Sequence, residues 1–152
     1  MKFLLDTNIA SYSVDKQSPY HRAVIGRLSQ LADDDTACLS VLTLYETEYG
    51  VILAPDDKRD KVIAARDLLK SLFPVLPITV QGSTIFGRLK ANYRKKTGIH
   101  DRALERHNID FVIASCALAQ DAILVSNDSI FMEIQQIAPG LKLENWTVWL
   151  CK

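Results

Sequence analysis

Four carboxylates stand where a chain of this pattern could do chemistry. Asp6 follows Phe3-Leu4-Leu5, a short apolar run that suits a central strand buried on both faces. Asp128 closes Ser126-Asn127-Asp128, directly after a second such run, Ala122 to Val125. Glu46 and Asp110 fall in the first turns of helices predicted to begin at Thr43 and just after Asn108. Open α/β sheets bind ligands outside the carboxyl ends of their strands, so these placements would gather all four acids at one edge. Gathered carboxylates repel one another and raise each other's pKa values unless a cation shares the site. Hard oxygen donors of this kind favour Mg²⁺ or Mn²⁺.

Each acid also has a local structural explanation. Asp6 can cap the helix or turn that Thr7-Asn8 begins. Thr43-Leu-Tyr-Glu46 matches a capping box in which Glu46 only reaches back to a backbone N–H. Asp110, the sole charge of its helix, interacts well with the helix dipole from the first turn. Four such coincidences at one edge of one small sheet argue instead for a shared site.

The elements that must position these acids alternate along the chain. Asn8 to Val14 reads as a short helix and His21 to Ala32 as a second, ended by Asp33-Asp34-Asp35. Thr36 to Val41 reads as a strand, followed by helices from Thr43 to Leu53 and from Asp56 to the residue before Pro74. Val75 to Ile78, which contains Pro77, is a short strand suited to a sheet edge. Thr79 to Thr97 is amphipathic, with Gly98 placed as the residue that ends it. Ile109 to Ala119, with Asn108 as its cap, is apolar nearly all round and belongs in the middle of a domain. Ala122 to Val125, a helix over Ser129 to Ala138, a Pro139-Gly140 turn and an edge strand over Leu141 to Leu143 complete the chain. This rhythm predicts an α/β fold: a parallel sheet with right-handed crossovers and helices on both faces.

Composition narrows the class. At 152 residues, 48% hydrophobic and 24% charged, the chain suits a single domain over residues 1–152 with a proper core. No apolar run reaches transmembrane length, and Asp6 interrupts the N-terminal apolar stretch too early for a signal peptide. A cytoplasmic protein, with no membrane partner, is the expectation. Cys38, Cys116 and Cys151 have no C-x-x-C spacing, so neither disulfides nor zinc are expected. Net charge is zero, and nucleic-acid affinity must therefore come from a local patch. Between Arg88 and His107 seven Lys and Arg residues stand against Asp101 and Glu105. That run reads either as a solvated helix face or as a phosphate-contacting surface.

Leu-Leu-Asp6-Thr-Asn8, Ser40-Val-Leu-Thr43-Leu-Tyr-Glu46-Thr-Glu-Tyr-Gly50, Asn108-Ile-Asp110-Phe-Val-Ile-Ala-Ser-Cys-Ala and Leu124-Val-Ser126-Asn-Asp128-Ser-Ile-Phe131 resemble the four motifs of the PIN domain. They resemble in particular the VapC-type toxins of bacterial toxin–antitoxin pairs. The likeness spans essentially the whole chain, and its strength lies in the ordered set rather than in any one motif. It implies a three-layer α/β/α sandwich on a sheet of about five strands ordered 3-2-1-4-5, and Mg²⁺- or Mn²⁺-dependent endoribonuclease activity on structured RNA. It also implies a cognate VapB-like antitoxin that blocks the site, and commonly a homodimer. Asp6, Glu46, Asp110 and Asp128 take the family's acidic, metal-holding positions. Asn8 matches the Asp-x-Asn opening, and Ser126 stands where the family usually has Thr, with the hydroxyl kept.

On this reading metal-activated water hydrolyses a phosphodiester, with Asp6 and Asp110 bound to the ion directly and Glu46 and Asp128 partly through water. Asn8 and Ser126 would orient that shell beside the substrate. Arg94, Lys95 and Arg102, with Arg88, Lys96 and Arg106, are the candidates for RNA phosphates. An antitoxin Arg could hold two carboxylate oxygens and displace the metal. Tyr12, Val14, Tyr20 and Val51 are candidates for its docking surface, and equally for core or a homodimer face. Three other readings remain: a housekeeping PIN nuclease, a non-catalytic PIN-like binding module, and a haloacid-dehalogenase-type phosphotransferase. The last needs a second acid two residues after Asp6, where this chain has Asn8.

Overall fold

The computed structural model describes residues 1–148. Five strands, β1 (Lys2–Leu5), β2 (Thr36–Ser40), β3 (Val75–Leu76), β4 (Ile123–Val125) and β5 (Lys142–Glu144), form one sheet in the order β3-β2-β1-β4-β5. Every pairing is parallel. Eight helices connect them: α1 (Thr7–Val14), α2 (His21–Leu28), α3 (Val41–Leu53), α4 (Asp56–Leu72), α5 (Val80–Thr97), α6 (Asp101–Leu104), α7 (Asn108–Ala119) and α8 (Ser129–Ile137). A 3-10 turn over Glu105–His107 joins α6 to α7. None of them is long and apolar enough to cross a membrane.

The central strands are apolar on both faces because both faces are covered. Successive side chains of a strand point to opposite sides, and the core divides accordingly. Leu4, Cys38 and Leu124 pack with Leu89, Tyr93, Phe111 and Phe131 beneath α5, α7 and α8. Phe3, Leu5, Leu39 and Val125 pack with Ile9, Val24 and Leu69 beneath α1, α2 and α4. The result is the three-layer α/β/α sandwich. Burying one such side chain contributes about 1.5–3 kcal/mol, so the two clusters together dominate the stability of the frame. Cys38 and Cys116 are free and buried, as small apolar residues would be; Cys151 lies outside the described residues.

Strand order also fixes where a site can form. The chain leaves β1 toward β2 and β3 on one side, then crosses back to β4 and β5 on the other. The loops after β1 and β4 therefore diverge and open a crevice at the carboxyl ends of these neighbouring strands. Asp6 N–H still donates to the Val125 carbonyl at 3.0 Å, which holds the two loop starts together.

Several elements depart from the pattern read in the sequence. Ser40 caps α3 by accepting from the Leu42 N–H at 3.2 Å, so the helix starts two residues before Thr43 and the capping box does not form. The helix from His21 ends at Leu28, where Gln30 and Leu31 turn back to the Arg27 and Leu28 carbonyls. The third strand stops at Leu76 because Pro77 has no N–H to give the ladder. Asn108 is the first residue of α7 rather than its cap, and its side-chain oxygen accepts from Lys90 Nζ at 2.8 Å. Residues Asp101–His107 are helical although they are too few to display a period.

Candidate active site

Asp6 sits at the carboxyl end of β1 and is almost completely buried. Its Oδ1 accepts from the Ile9 N–H at 2.7 Å, which caps α1, and its Oδ2 accepts from the Ser126 hydroxyl. Burial pushes the Asp6 carboxyl up to about 6; the Ile9 and Ser126 bonds pull against this, and nearby Asp128 adds to it. Ser126 comes from the end of β4, is itself buried, and accepts the Asp128 N–H at 3.0 Å. One serine hydroxyl thus ties the first acid to the backbone of the last.

Asp128 caps α8, accepting from the Ile130 N–H at 3.1 Å, with its carboxylate open to solvent. Asp110 lies in the first turn of α7, and its Oδ2 is 3.2 Å from His107 Nδ1. Burial raises the Asp110 carboxyl above its ordinary range; His107 opposes the shift, and Asp128 and Glu46 reinforce it. Glu46, in the second turn of α3, accepts from the Thr7 hydroxyl.

Asp6, Glu46, Asp110 and Asp128 line one cleft of about 280 Å³, together with Thr7, Asn8, Ile109, Ile113 and Phe131. No Lys, Arg or His is among those lining residues. The capping bonds of Asp6 and Asp128 are real, but they use only part of each carboxylate. An ionised carboxylate has about four acceptor positions, so caps and ligands are not exclusive.

The donor set has the chemistry of a hard-cation site: four carboxylates, of which Asp6 and Asp110 are partly desolvated, with no cationic side chain lining the cleft. Among the described residues, no group of three or more His, Cys, Asp and Glu side chains is placed to hold a metal ion. Mg²⁺, which keeps several of its waters and takes few direct carboxylates, asks the fewest direct ligands of such a set.

Not every residue singled out in the sequence joins this cleft. Asn8 does, exposed at its rim. Arg94 and Lys95 line a separate groove with Gly98, Ile99 and His100, where Arg94 is paired with Asp101 at 3.0 Å. Arg102 is exposed on α6, and Lys96 donates to Gln136 at 2.8 Å. Of the apolar candidates on the early elements, Val51 is core and Tyr20 is exposed, with its ring against Tyr12. Glu48 and Asp121 are surface residues engaged by Arg66 and Lys70, and by Lys142. Two residues passed over in the sequence emerge as partners of the acids. Thr7 was visible only as the middle of Asp-Thr-Asn, and His107 as part of the basic run, although its place three residues before Asp110 on a helical path is a signal for contact.

A parallel 3-2-1-4-5 sheet between two helical layers, with acids after β1, after β4 and on the helices that follow β2 and precede β4, is the arrangement of the PIN domain. The chain belongs to that family, whose model matches residues 3–136. It is 30% identical to ribonuclease VapC2 of Rickettsia felis over 146 residues, which cover 96% of this chain and 98% of that one. Among solved structures it is similar to VapBC2 from Rickettsia felis bound to a DNA fragment from their promoter. There the identity is 29%, the TM-score 0.77, and the match covers 96% of this chain and 99% of that chain. It is also similar to VapBC-1 from nontypeable Haemophilus influenzae, at 28% identity and TM-score 0.74 over 97% and 100% of the two chains.

Proposed function

We propose that this chain is the toxin of a VapBC-type pair, an endoribonuclease that requires Mg²⁺ or Mn²⁺ and cuts structured RNA such as tRNA or rRNA. The observation that carries this reading is the cleft itself, in which four carboxylates from four different elements meet without a cationic side chain. The likeness to ribonuclease VapC2 over nearly the full length of both chains supports it.

Asp6 and Asp110, each partly withdrawn from water by the fold, would hold the ion directly. Glu46 and Asp128, the two exposed acids of the cleft, would act on it partly through water. A bound Mg²⁺ or Mn²⁺ would polarise the scissile phosphate and lower the pKa of the attacking water. The chain supplies the geometry. Ser126 holds Asp6 Oδ2 and the Asp128 backbone in one arrangement, and Asn8 presents an amide at the rim that can orient the phosphodiester. Arg94, Lys95 and Arg102 contact phosphates away from the scissile bond, since they stand outside the cleft lining. RNA is best read where it is single-stranded and its bases can splay, so loops of a structured RNA suit a cleft this small.

The antitoxin has a matching surface. A groove of about 600 Å³ between α1, α3 and α4 shares Thr7 and Glu46 with the acidic cleft. An antitoxin segment laid in this groove can present an Arg to the carboxylates, whose charge and fork geometry it complements. Tyr45, Tyr49 and Ile52, spaced four and three residues apart along α3 and all exposed, are the face proposed for a homodimer.

The test is cleavage of a fluorogenic single-stranded RNA by the purified chain. Cleavage with Mg²⁺, its loss with EDTA, and its loss in Asp110→Asn at unchanged circular dichroism are the expected results. Absence of cleavage by the wild type under all divalent metals would leave a PIN-like binding module as the better description. Cleavage by a chain that is harmless when expressed without its neighbouring gene product would favour a housekeeping nuclease.

A further inference from the structure

Three of the four acids are held by more than one feature of the fold, and the fourth is not. Asp6 is fixed by a helix N–H and the Ser126 hydroxyl, Asp128 by its place at the α8 cap and by its own N–H donating to Ser126 Oγ, and Asp110 by His107 and by partial burial. Glu46 is exposed on α3 and ends the longest of the four side chains. Its only hydrogen bond among the described residues is the one it accepts from Thr7. The capping box that would have explained Glu46 is absent, because Ser40 caps α3.

We propose that Thr7 is the positioning residue of Glu46, tying α3 to the first turn of α1 so that the Glu46 carboxylate faces the cleft. This role rests on the metal-nuclease reading above. Thr7 is suited to it on three counts. It immediately follows Asp6, so the strand that places the first acid also places the tether of the second. Its β-branch restricts χ1 and aims the hydroxyl. Its single proton serves Glu46, because a donor prefers a carboxylate to a neutral oxygen. The completely buried Thr43 hydroxyl, 3.4 Å from Thr7 Oγ1, is then free to donate to that oxygen and back the pair from inside. Thr7 and Glu46 also form the wall between the acidic cleft and the α1–α3–α4 groove. Released from Thr7, the Glu46 side chain has open space on both sides.

The experiment is a Mn²⁺ titration of the full chain followed by electron paramagnetic resonance, alongside thermal unfolding without metal. Partners that orient metal ligands are worth about 10- to 100-fold in affinity, so Thr7→Val should weaken Mn²⁺ binding by about tenfold or more. Thr7→Ser, which keeps the hydroxyl, should recover most of that loss. In a Glu46→Gln background Thr7→Val should add nothing further, and the metal-free melting temperature of Thr7→Ser should stay near that of the wild type. A Thr7→Val chain that binds Mn²⁺ as the wild type does, or that loses as much in the Glu46→Gln background, overturns the role of Thr7 while leaving the metal site standing. A wild type that binds no Mn²⁺ overturns the metal reading and this role with it.

Discussion

On the proposed reading Asp6 serves the chemistry of the cleft, yet the fold would be more stable without its charge. Buried at the end of β1, it has its pKa raised from 3.8 to about 6. A difference of about two units corresponds to about 3 kcal/mol at neutral pH, because one unit is worth about 1.4 kcal/mol. Asp6→Asn removes that penalty. It keeps the cap, since Asn and Asp are nearly equal at that position, but it disturbs the Ser126 bond by about 1 kcal/mol. The net expectation is a metal-free variant more stable than the wild type by about 2 kcal/mol at neutral pH. For a chain of this size that is about 4–8 °C in melting temperature.

The sign with pH follows from the raised value. Between about pH 4 and pH 6 the folded wild type holds a proton on Asp6 that the unfolded chain has released, so wild-type stability rises as pH falls through that window. The penalty is complete above about 6, and the advantage of Asp6→Asn falls through zero as the pH drops toward 4, where only the cost of the disturbed Ser126 bond remains. Added Mg²⁺ should reverse the order at neutral pH, because a ligand that binds only the folded state stabilises it by mass action and the variant lacks one holder. Urea unfolding in EDTA across that pH range, then in Mg²⁺, measures all three effects. A variant less stable than the wild type in EDTA at neutral pH would mean that the fold stabilises the Asp6 carboxylate rather than penalising it. A gain that does not change with pH would refute the electrostatic account of it.

Other expectations follow from separate parts of the structure. Replacing Arg94, Lys95 and Arg102 by Gln in an Asp6→Asn background should reduce the logarithmic salt slope of single-stranded RNA binding by about 0.7 for each lost phosphate contact, read by fluorescence anisotropy; an unchanged slope assigns them to a solvated surface. Gly98 ends α5 at φ 67°, in open space, so Gly98→Ala should destabilise through backbone strain alone, by about 1 kcal/mol in urea unfolding.

What was legible in the sequence was what periodicity and adjacency encode. Phe3-Leu4-Leu5 and Ala122 to Val125 announced buried strands because both faces are covered, and Asp6 and Asp128 announced the edge because one follows its strand directly and the other after only Ser126 and Asn127. Gly98 marked its helix end since no other residue takes that backbone conformation as easily. The sheet order came from the likeness to the PIN domain, not from the pattern of strands and helices, which leaves the position of β4 beside β1 open. Side-chain partnership was the part least encoded. Ser40 and Thr43 are equally good caps by type, and only the packed position of β2 decides that Ser40 serves. Thr43 is thereby turned inward, and Glu46 is left to find a partner 39 residues earlier in the chain, at Thr7. The Thr-x-x-Glu spacing and the acidic site are therefore competing uses of the same two residues. Choosing between them requires the three-dimensional placement of β1 against β2, which sets Lys2 opposite Thr36 and brings Thr7 to α3.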